Sequence, residues 1–282
     1  MSTFGLALRE AIDSLGRVCV GIDPHAPLLA QWGLEDSAAG AREFGLRTIE
    51  AVAGHVAAVK PQVAFYERHG SAGIAALEDV IAAAREAGVL CIVDAKRGDI
   101  GSTMQGYADA FLRGGSRLAG DAVTLSPYLG FDSLTPALDL AQAEGKGAFV
   151  LCLTSNPEGA SVQLARTGQE STPSVAAAMA AGAARLNAAA AARGELGSVG
   201  LVIGATIGDA AREGGVDLGA VNGPLLVPGI GAQGGTPASV RDVVGESSWR
   251  NVLASTSRAV LGAGPHVAAL RDAAARTTAE MA

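Results

Sequence analysis

Short runs of β-branched and other apolar residues recur along the chain, separated by longer stretches in which apolar positions return every three or four residues. The runs are RVCVGID (17 to 23), VAAVKP (56 to 61), VLCIVDAK (89 to 96), DAVTLSP (121 to 127), GAFVLCLTS (147 to 155), VGLVIGA (199 to 205), LLVPGIG (225 to 231) and NVLASTS (251 to 257). Each is short, and each is apolar at successive rather than alternate positions, which marks a strand covered on both faces. The intervening stretches, such as SAGIAALEDVIAAAREAG (71 to 88) and DSLTPALDLAQAEG (132 to 145), are alanine-rich and helical in period. Strand followed by helix, eight times, predicts parallel strands with helices packed outside them.

An open doubly wound sheet and a closed barrel both satisfy this alternation. Eight units in 282 residues, close to the ~250 typical of the closed form, favour a (β/α)8 TIM barrel. No linker-like shift in composition divides the chain, so a single domain over residues 1–282 is expected. The two longest irregular stretches, 24 to 40 and 156 to 174, follow the first and fifth strands and are predicted to sit on the catalytic rim.

Composition narrows the class. With 49% hydrophobic and 17% charged residues the chain is that of a compact globular protein, and a net charge of -7 argues against a nucleic-acid-coating role. The most membrane-like run, VAAAMAAGAARLNAAAAA (175 to 192), is mostly alanine and interrupted by Arg185 and Asn187, which reads as a surface helix of a soluble protein. The first residues carry Arg9, Glu10 and Asp13 and lack the unbroken apolar segment of a signal peptide. Cys19, Cys91 and Cys152 each lie inside an apolar run with no second cysteine at ligand or disulfide spacing. Buried free thiols and a reducing, cytoplasmic compartment are expected.

In a barrel of this kind the site is built from the C-terminal strand ends and the loops after them. The polar residues there are Asp23, Lys60, Asp94, Lys96, Ser126, Ser155, Gln233, Ser257 and Arg258. A lone Asp or Ser in such a place is commonly a helix cap. Lysines set among carboxylates are harder to explain that way, although a structural ion pair is the plain alternative. Asp94 and Lys96, two apart on a strand, point to the same side, and Asp99 follows three residues on. A lysine held between such carboxylates stays protonated, which makes it a proton donor rather than a Schiff-base nucleophile. The glycine-rich VPGIGAQGG (227 to 235), with Gly231 within it, and STSRAVLGAG (255 to 264), with Ser257 and Arg258, fall after strands 7 and 8, where these barrels bind phosphate. A phosphate monoester is the expected ligand.

Together these segments resemble the orotidine 5′-phosphate decarboxylase family in its longer bacterial type. The resemblance rests on CVGIDPH (19 to 25), VKPQVAFYE (59 to 67), DAKRGDIGST (94 to 103), TSNPEG (154 to 159), VPGIGAQGG (227 to 235) and TSRAVL (256 to 261), in the family's order and spanning nearly the whole chain. It implies conversion of orotidine 5′-phosphate (OMP) to UMP and CO₂ in a homodimer with shared sites and no metal or organic cofactor. Asp94, Lys96, Asp99 and Lys60 would form an alternating charge network, with Asp99 supplied by the second subunit and Ile100 and Thr103 reaching across beside it. Asp23 and Lys60 match groups on the ribose hydroxyls, Ser155 the serine on the pyrimidine amide, and Gln233 and Arg258 the phosphate ligands. Two other readings of the barrel are a metal-dependent phosphosugar synthase or decarboxylase and a non-catalytic nucleotide-binding barrel. The first resembles the chain at Asp-x-Lys-x-x-Asp but holds Mg²⁺ with a carboxylate where this sequence has Lys60; the second would need the binding loops without the charge network.

Overall fold

In the computed structural model, which describes residues 2–166, 172–231 and 234–282, eight parallel strands pair in sequence order. They are β1 (Val18–Ile22), β2 (Ala58–Pro61), β3 (Leu90–Arg97), β4 (Ala122–Leu125), β5 (Gly147–Leu153), β6 (Val199–Ile203), β7 (Leu225–Pro228) and β8 (Val252–Thr256). β8 closes on β1 with Cys19 opposite Ser255, so the expected TIM barrel is the observed fold. Closure explains the unbroken apolar runs, because every strand is covered by helices outside and by side chains within.

The two sides of each strand serve different layers. Outward residues such as Val20, Val59, Val93, Val123 and Leu225 join the helices in one large core. Inward, each strand gives one residue to a second core, made of Cys19, Ala58, Ile92, Ala122, Phe149, Val202, Leu226 and Leu253. The helix Phe4–Leu15, capped by the Thr3 hydroxyl, places Phe4, Leu8 and Ile12 on one face and closes the N-terminal end against that ring. Phe4 meets Phe149 edge to face, with ring centroids 5.9 Å apart. Gly147 is required beneath it, since a Cβ there would lie 2.2 Å from the Phe4 ring. With each such buried side chain contributing about 1.5–3 kcal/mol, this end is firmly shut and the opposite mouth is left for chemistry.

Three expectations are refined by the structure. The stretch 24 to 40 contains the helix Ala26–Gln31, started by Pro27, and 156 to 174 contains the short turns Pro157–Gly159 and Ala160–Gln163, its residues 167–171 lying outside the described residues. The helix Val175–Ala192 meets the length and composition of a membrane span, yet it packs against β5 and β6 rather than lying wholly on the surface. Asn187, which interrupts its apolar run, is buried; its amide donates to the carbonyls of Val199 (2.7 Å) and Val221 (2.9 Å) and its oxygen accepts from the Val199 N–H. That asparagine therefore ties the helix to the start of β6. All three cysteines are buried and free, and burial pushes the Cys19 and Cys152 thiols up to about 12, leaving them unreactive at neutral pH.

Candidate active site

The inward alternation that builds the apolar ring continues toward the C-terminal mouth and turns polar. Two residues beyond the ring stand Lys60 on β2, Asp94 on β3, Thr124 on β4 and Ser255 on β8; two further on come Gln62, Lys96 and Ser257. All seven line one cavity of about 780 Å³, together with Asp23, Ser155 and Arg258. Its apolar side is given by Leu151, Val202 and Leu226.

At its base lies a carboxylate whose hydrogen bonds are fully used. The Asp94 Oδ2 atom accepts from Lys60 Nζ at 2.6 Å and Gln62 Nε2 at 3.0 Å, while Oδ1 accepts from Lys96 Nζ at 2.6 Å and the Thr124 hydroxyl at 2.8 Å. Asp94 and Lys60 are buried, whereas the Lys96 side chain is 42% exposed to the cavity. Burial by itself would raise the Asp94 carboxyl, but the two ammonium groups and the hydrogen bonds they donate hold it well below the usual carboxylate range. Burial likewise works to lower Lys60, and the negative charges of Asp94 and Asp23 outweigh it and raise that lysine above its ordinary value. At neutral pH the site thus holds an ionised Asp94 beside a protonated Lys60.

The strand carrying Lys96 is not regular. Between Val93 and Arg97 β3 takes four steps while β4 takes two, from Val123 to Leu125, so residues 94 to 96 bulge. Lys96 sits in the left-handed region at φ +47°, uncommon for a side-chain-bearing residue. Bulges beside active sites re-aim side chains, and this one brings the Lys96 ammonium back over Asp94. Beyond it Arg97 pairs with Glu67 and lies over the Tyr107 and Phe111 rings, which anchors the strand end.

Around the rim the expected residues divide. Asp23 and Ser257 flank Gly21, where a Cβ would lie 3.2 Å from each side chain, and both the Asp23 Oδ1 and the Ser257 hydroxyl are buried without a hydrogen-bond partner among the described residues. Both therefore have hydrogen-bonding capacity to offer a ligand. Ser155 lies over the end of β6, its hydroxyl 2.3 Å from a Cβ built at Gly204, so glycine is needed there. The end of β7 and the loop after it divide in the same way, with Pro228, Gly229 and Ile230 in the cavity lining. Gly231 lies outside the cavity lining, and its N–H donates to the Gly235 carbonyl at 3.0 Å instead of facing an anion. Gly234 and Gly235 likewise donate within the loop, and φ values of 101°, 75° and 87° at Gly229, Gly231 and Gly234 show what the glycines are for. Gln233 lies outside the described residues.

Asp99, Ile100 and Thr103 are also outside the cavity lining. Within this chain Asp99 does not flank Lys96 as the sequence spacing suggested: its Oδ1 accepts from the Ile100 N–H at 2.8 Å, and no ion pair joins it to Lys96 among the described residues. Ile100 is 61% exposed and Thr103 is exposed on the helix Gly101–Phe111. Ser126, collected from the end of strand 4, does not line the cavity; Thr124 does. The sequence reading missed Gln62 and Thr124, which donate to Asp94, and Ser255; the signal for all three was the period of two counted on from Ala58, Ala122 and Leu253.

A closed parallel barrel whose mouth holds a buried carboxylate clamped between two ammonium groups defines a barrel protein with fixed charges at the end where such folds carry their chemistry. The comparisons with known proteins are more specific. A family model described as orotidine 5′-phosphate decarboxylase / HUMPS family matches residues 16–273, and the chain belongs to that family. It is 54% identical over 283 residues to the orotidine 5′-phosphate decarboxylase of Streptomyces coelicolor, covering 100% of this chain and 98% of that one. The relative from Salinispora arenicola, of the same name, is 54% identical over 280 residues, with 99% and 97% covered. A crystal structure of the Streptomyces avermitilis protein described by that name superposes with a TM-score of 0.92 at 53% identity, covering 100% of this chain and 95% of that one. The OMP decarboxylase of Leishmania donovani gives a TM-score of 0.74 at 34% identity, with 99% and 97% covered.

Proposed function

We propose that this chain, acting as one domain over residues 1–282, converts orotidine 5′-phosphate to UMP and CO₂ without a cofactor. The observation that carries the reading is the Lys60–Asp94–Lys96 network at the base of the cavity. When CO₂ leaves, the bonding electron pair stays at C6 of the pyrimidine with no conjugated sink for it. Stabilisation must come from charge already in position. In this mechanism the substrate carboxylate lies beside Asp94, which its four hydrogen bonds keep from turning away, and the Lys96 ammonium faces the developing carbanion. The same ammonium then gives its proton to C6, completing UMP. Asp23 with Lys60 would take the ribose hydroxyls, Ser155 the pyrimidine amide, and Ser257, Arg258 and Gln233 the phosphate.

The test is direct. Purified protein mixed with OMP in excess chelator is expected to lose the orotate absorbance and yield UMP stoichiometrically. Turnover abolished by chelator and restored by Mg²⁺ would favour the metal-dependent reading, and tight nucleotide binding with no UMP the non-catalytic one. Lys60 in contact with Asp94 supports the metal-free reading, because an ammonium is a poor neighbour for a divalent cation.

The remote phosphate supplies a second test. Arg258 is exposed at the cavity rim and forms no ion pair among the described residues, so its loss leaves no charge orphaned inside the protein. Arg258→Ala is expected to lower kcat/KM for OMP by about 10- to 100-fold, the scale of a charge-assisted hydrogen bond. A fall in kcat as well as a rise in KM would indicate that phosphate binding energy is used at the reacting carbon. Equal turnover of OMP and its phosphate-free nucleoside by the wild type would refute the assignment.

A homodimer with shared sites is part of the proposal. Ile100, Tyr128 and Leu129, on the loops after β3 and β4, are large apolar side chains 61%, 80% and 54% exposed, which supports cover by a second copy. A cytoplasmic location is proposed on the three buried, free thiols.

A further inference from the structure

We propose that the Thr124 hydroxyl is a positioning group for decarboxylation, one that fixes the bulge carrying Lys96 and the Asp94 carboxylate in a single geometry. The inference rests on reading Lys96 as the proton donor. Thr124 is 1% exposed, and its Oγ1 makes two hydrogen bonds at once. It accepts from the Lys96 backbone N–H at 2.9 Å and lies 2.8 Å from Asp94 Oδ1. An ionised carboxylate only accepts, so the hydroxyl proton points to Asp94 and the oxygen lone pair to Lys96.

This arrangement answers a problem that the bulge creates. Residues 94 to 96 have slipped out of register with β4, so the Lys96 N–H faces no strand carbonyl. Even a partly buried N–H is costly to leave unpaired, and the left-handed φ of +47° at Lys96 adds strain. The Thr124 side chain takes the place of the missing ladder partner. Its other bond then ties the same bulge to Oδ1, the oxygen that also receives the Lys96 ammonium. Backbone, ammonium and carboxylate are therefore referenced to one hydroxyl. Without it Lys96 keeps its charge but loses the constraint on where that charge sits relative to Asp94.

Threonine and valine have nearly the same shape, so Thr124→Val removes the hydroxyl with little change in packing volume, and Thr124→Ser keeps it. With rates expressed per active site, titrated with a tight-binding UMP analogue, Thr124→Val is expected to lower kcat by about 10- to 100-fold with KM within about threefold of wild type, while Thr124→Ser keeps most of kcat. A role in stability alone would lower the melting temperature and the titrated site count but leave kcat per site unchanged. Crystals of Thr124→Val are expected to show Lys96 moved out of the left-handed region. A kcat for Thr124→Val within about twofold of wild type, or equal losses in the valine and serine variants, overturns the proposal. So does an unchanged Lys96 backbone in those crystals, a result that stands whatever the wild type does with OMP. Absence of UMP formation by the wild type in the same assay would instead overturn the decarboxylase reading.

Discussion

Replacing Lys96 with alanine is expected to lower kcat for OMP by about 10⁴-fold or more while leaving the affinity for UMP within about tenfold of wild type. Two losses act on one step. In the proposed mechanism the ammonium 2.6 Å from Asp94 Oδ1 stabilises charge at the reacting carbon, worth about 10²- to 10³-fold, and delivers the proton to that carbon, worth about 10²- to 10⁴-fold. Binding changes less, because Asp23, Ser155, Ser257 and Arg258, assigned to ribose, base and phosphate, lie elsewhere on the cavity wall. The fold is expected to hold as well. Asp94 keeps Lys60, Gln62 and Thr124 as donors, so the mutation does not bury an uncompensated charge, and the lysine side chain is 42% exposed to begin with. Pre-steady-state kinetics with UMP titration and a thermal melt would separate these effects. Near-normal turnover, or a collapse of UMP affinity in step with kcat, would remove Lys96 from the chemical step.

Much of this architecture is legible in the sequence because burial leaves a regular trace. Eight doubly covered strands read as eight apolar runs, and the charged residues that end them stand out against that background: Asp23, Lys60, Asp94 and Lys96 were all found that way and all line the cavity. Gln62 and Thr124 were less visible for different reasons. Gln62 lies one residue past β2, where an apolar run no longer frames it, and Thr124 lies inside β4, where a threonine is an ordinary strand residue. Only the alternation, projected from a known inward position, assigns them to the mouth. The bulge at residues 94 to 96 leaves no trace of composition at all, since Lys96 is not a residue that announces a left-handed backbone. The glycine loop was legible only in part, since Pro228, Gly229 and Ile230 line the cavity while Gly231 does not. Its composition suggested free N–H groups, but hydrogen bonding among Gly229, Gly231, Gly234 and Gly235 is decided by the loop's own closure.

If Asp99 of one subunit completes the network around Lys96 of the other, two inactive proteins are expected to yield an active mixture. Within the chain Asp99 accepts from the Ile100 N–H just before the helix Gly101–Phe111, outside the cavity, while Ile100 beside it is exposed. This carboxylate is on hand for a neighbour and makes no ion pair with Lys96 of its own chain among the described residues. Asp99→Asn and Lys96→Ala homodimers are each expected to be nearly inactive. In a heterodimer of the two, one site carries both lesions and the other joins an intact Lys96 from one chain to an intact Asp99 from its partner. Random exchange makes about half the dimers mixed, with one good site of two in each, so activity per total site is expected to reach roughly a quarter of wild type. If Asp99 worked within its own chain, every site in the mixture would keep one lesion, and exchange would restore nothing. Native mass spectrometry to verify exchange, followed by the OMP assay on the same mixture, decides between the two, and verified heterodimers without recovered activity would exclude the shared site.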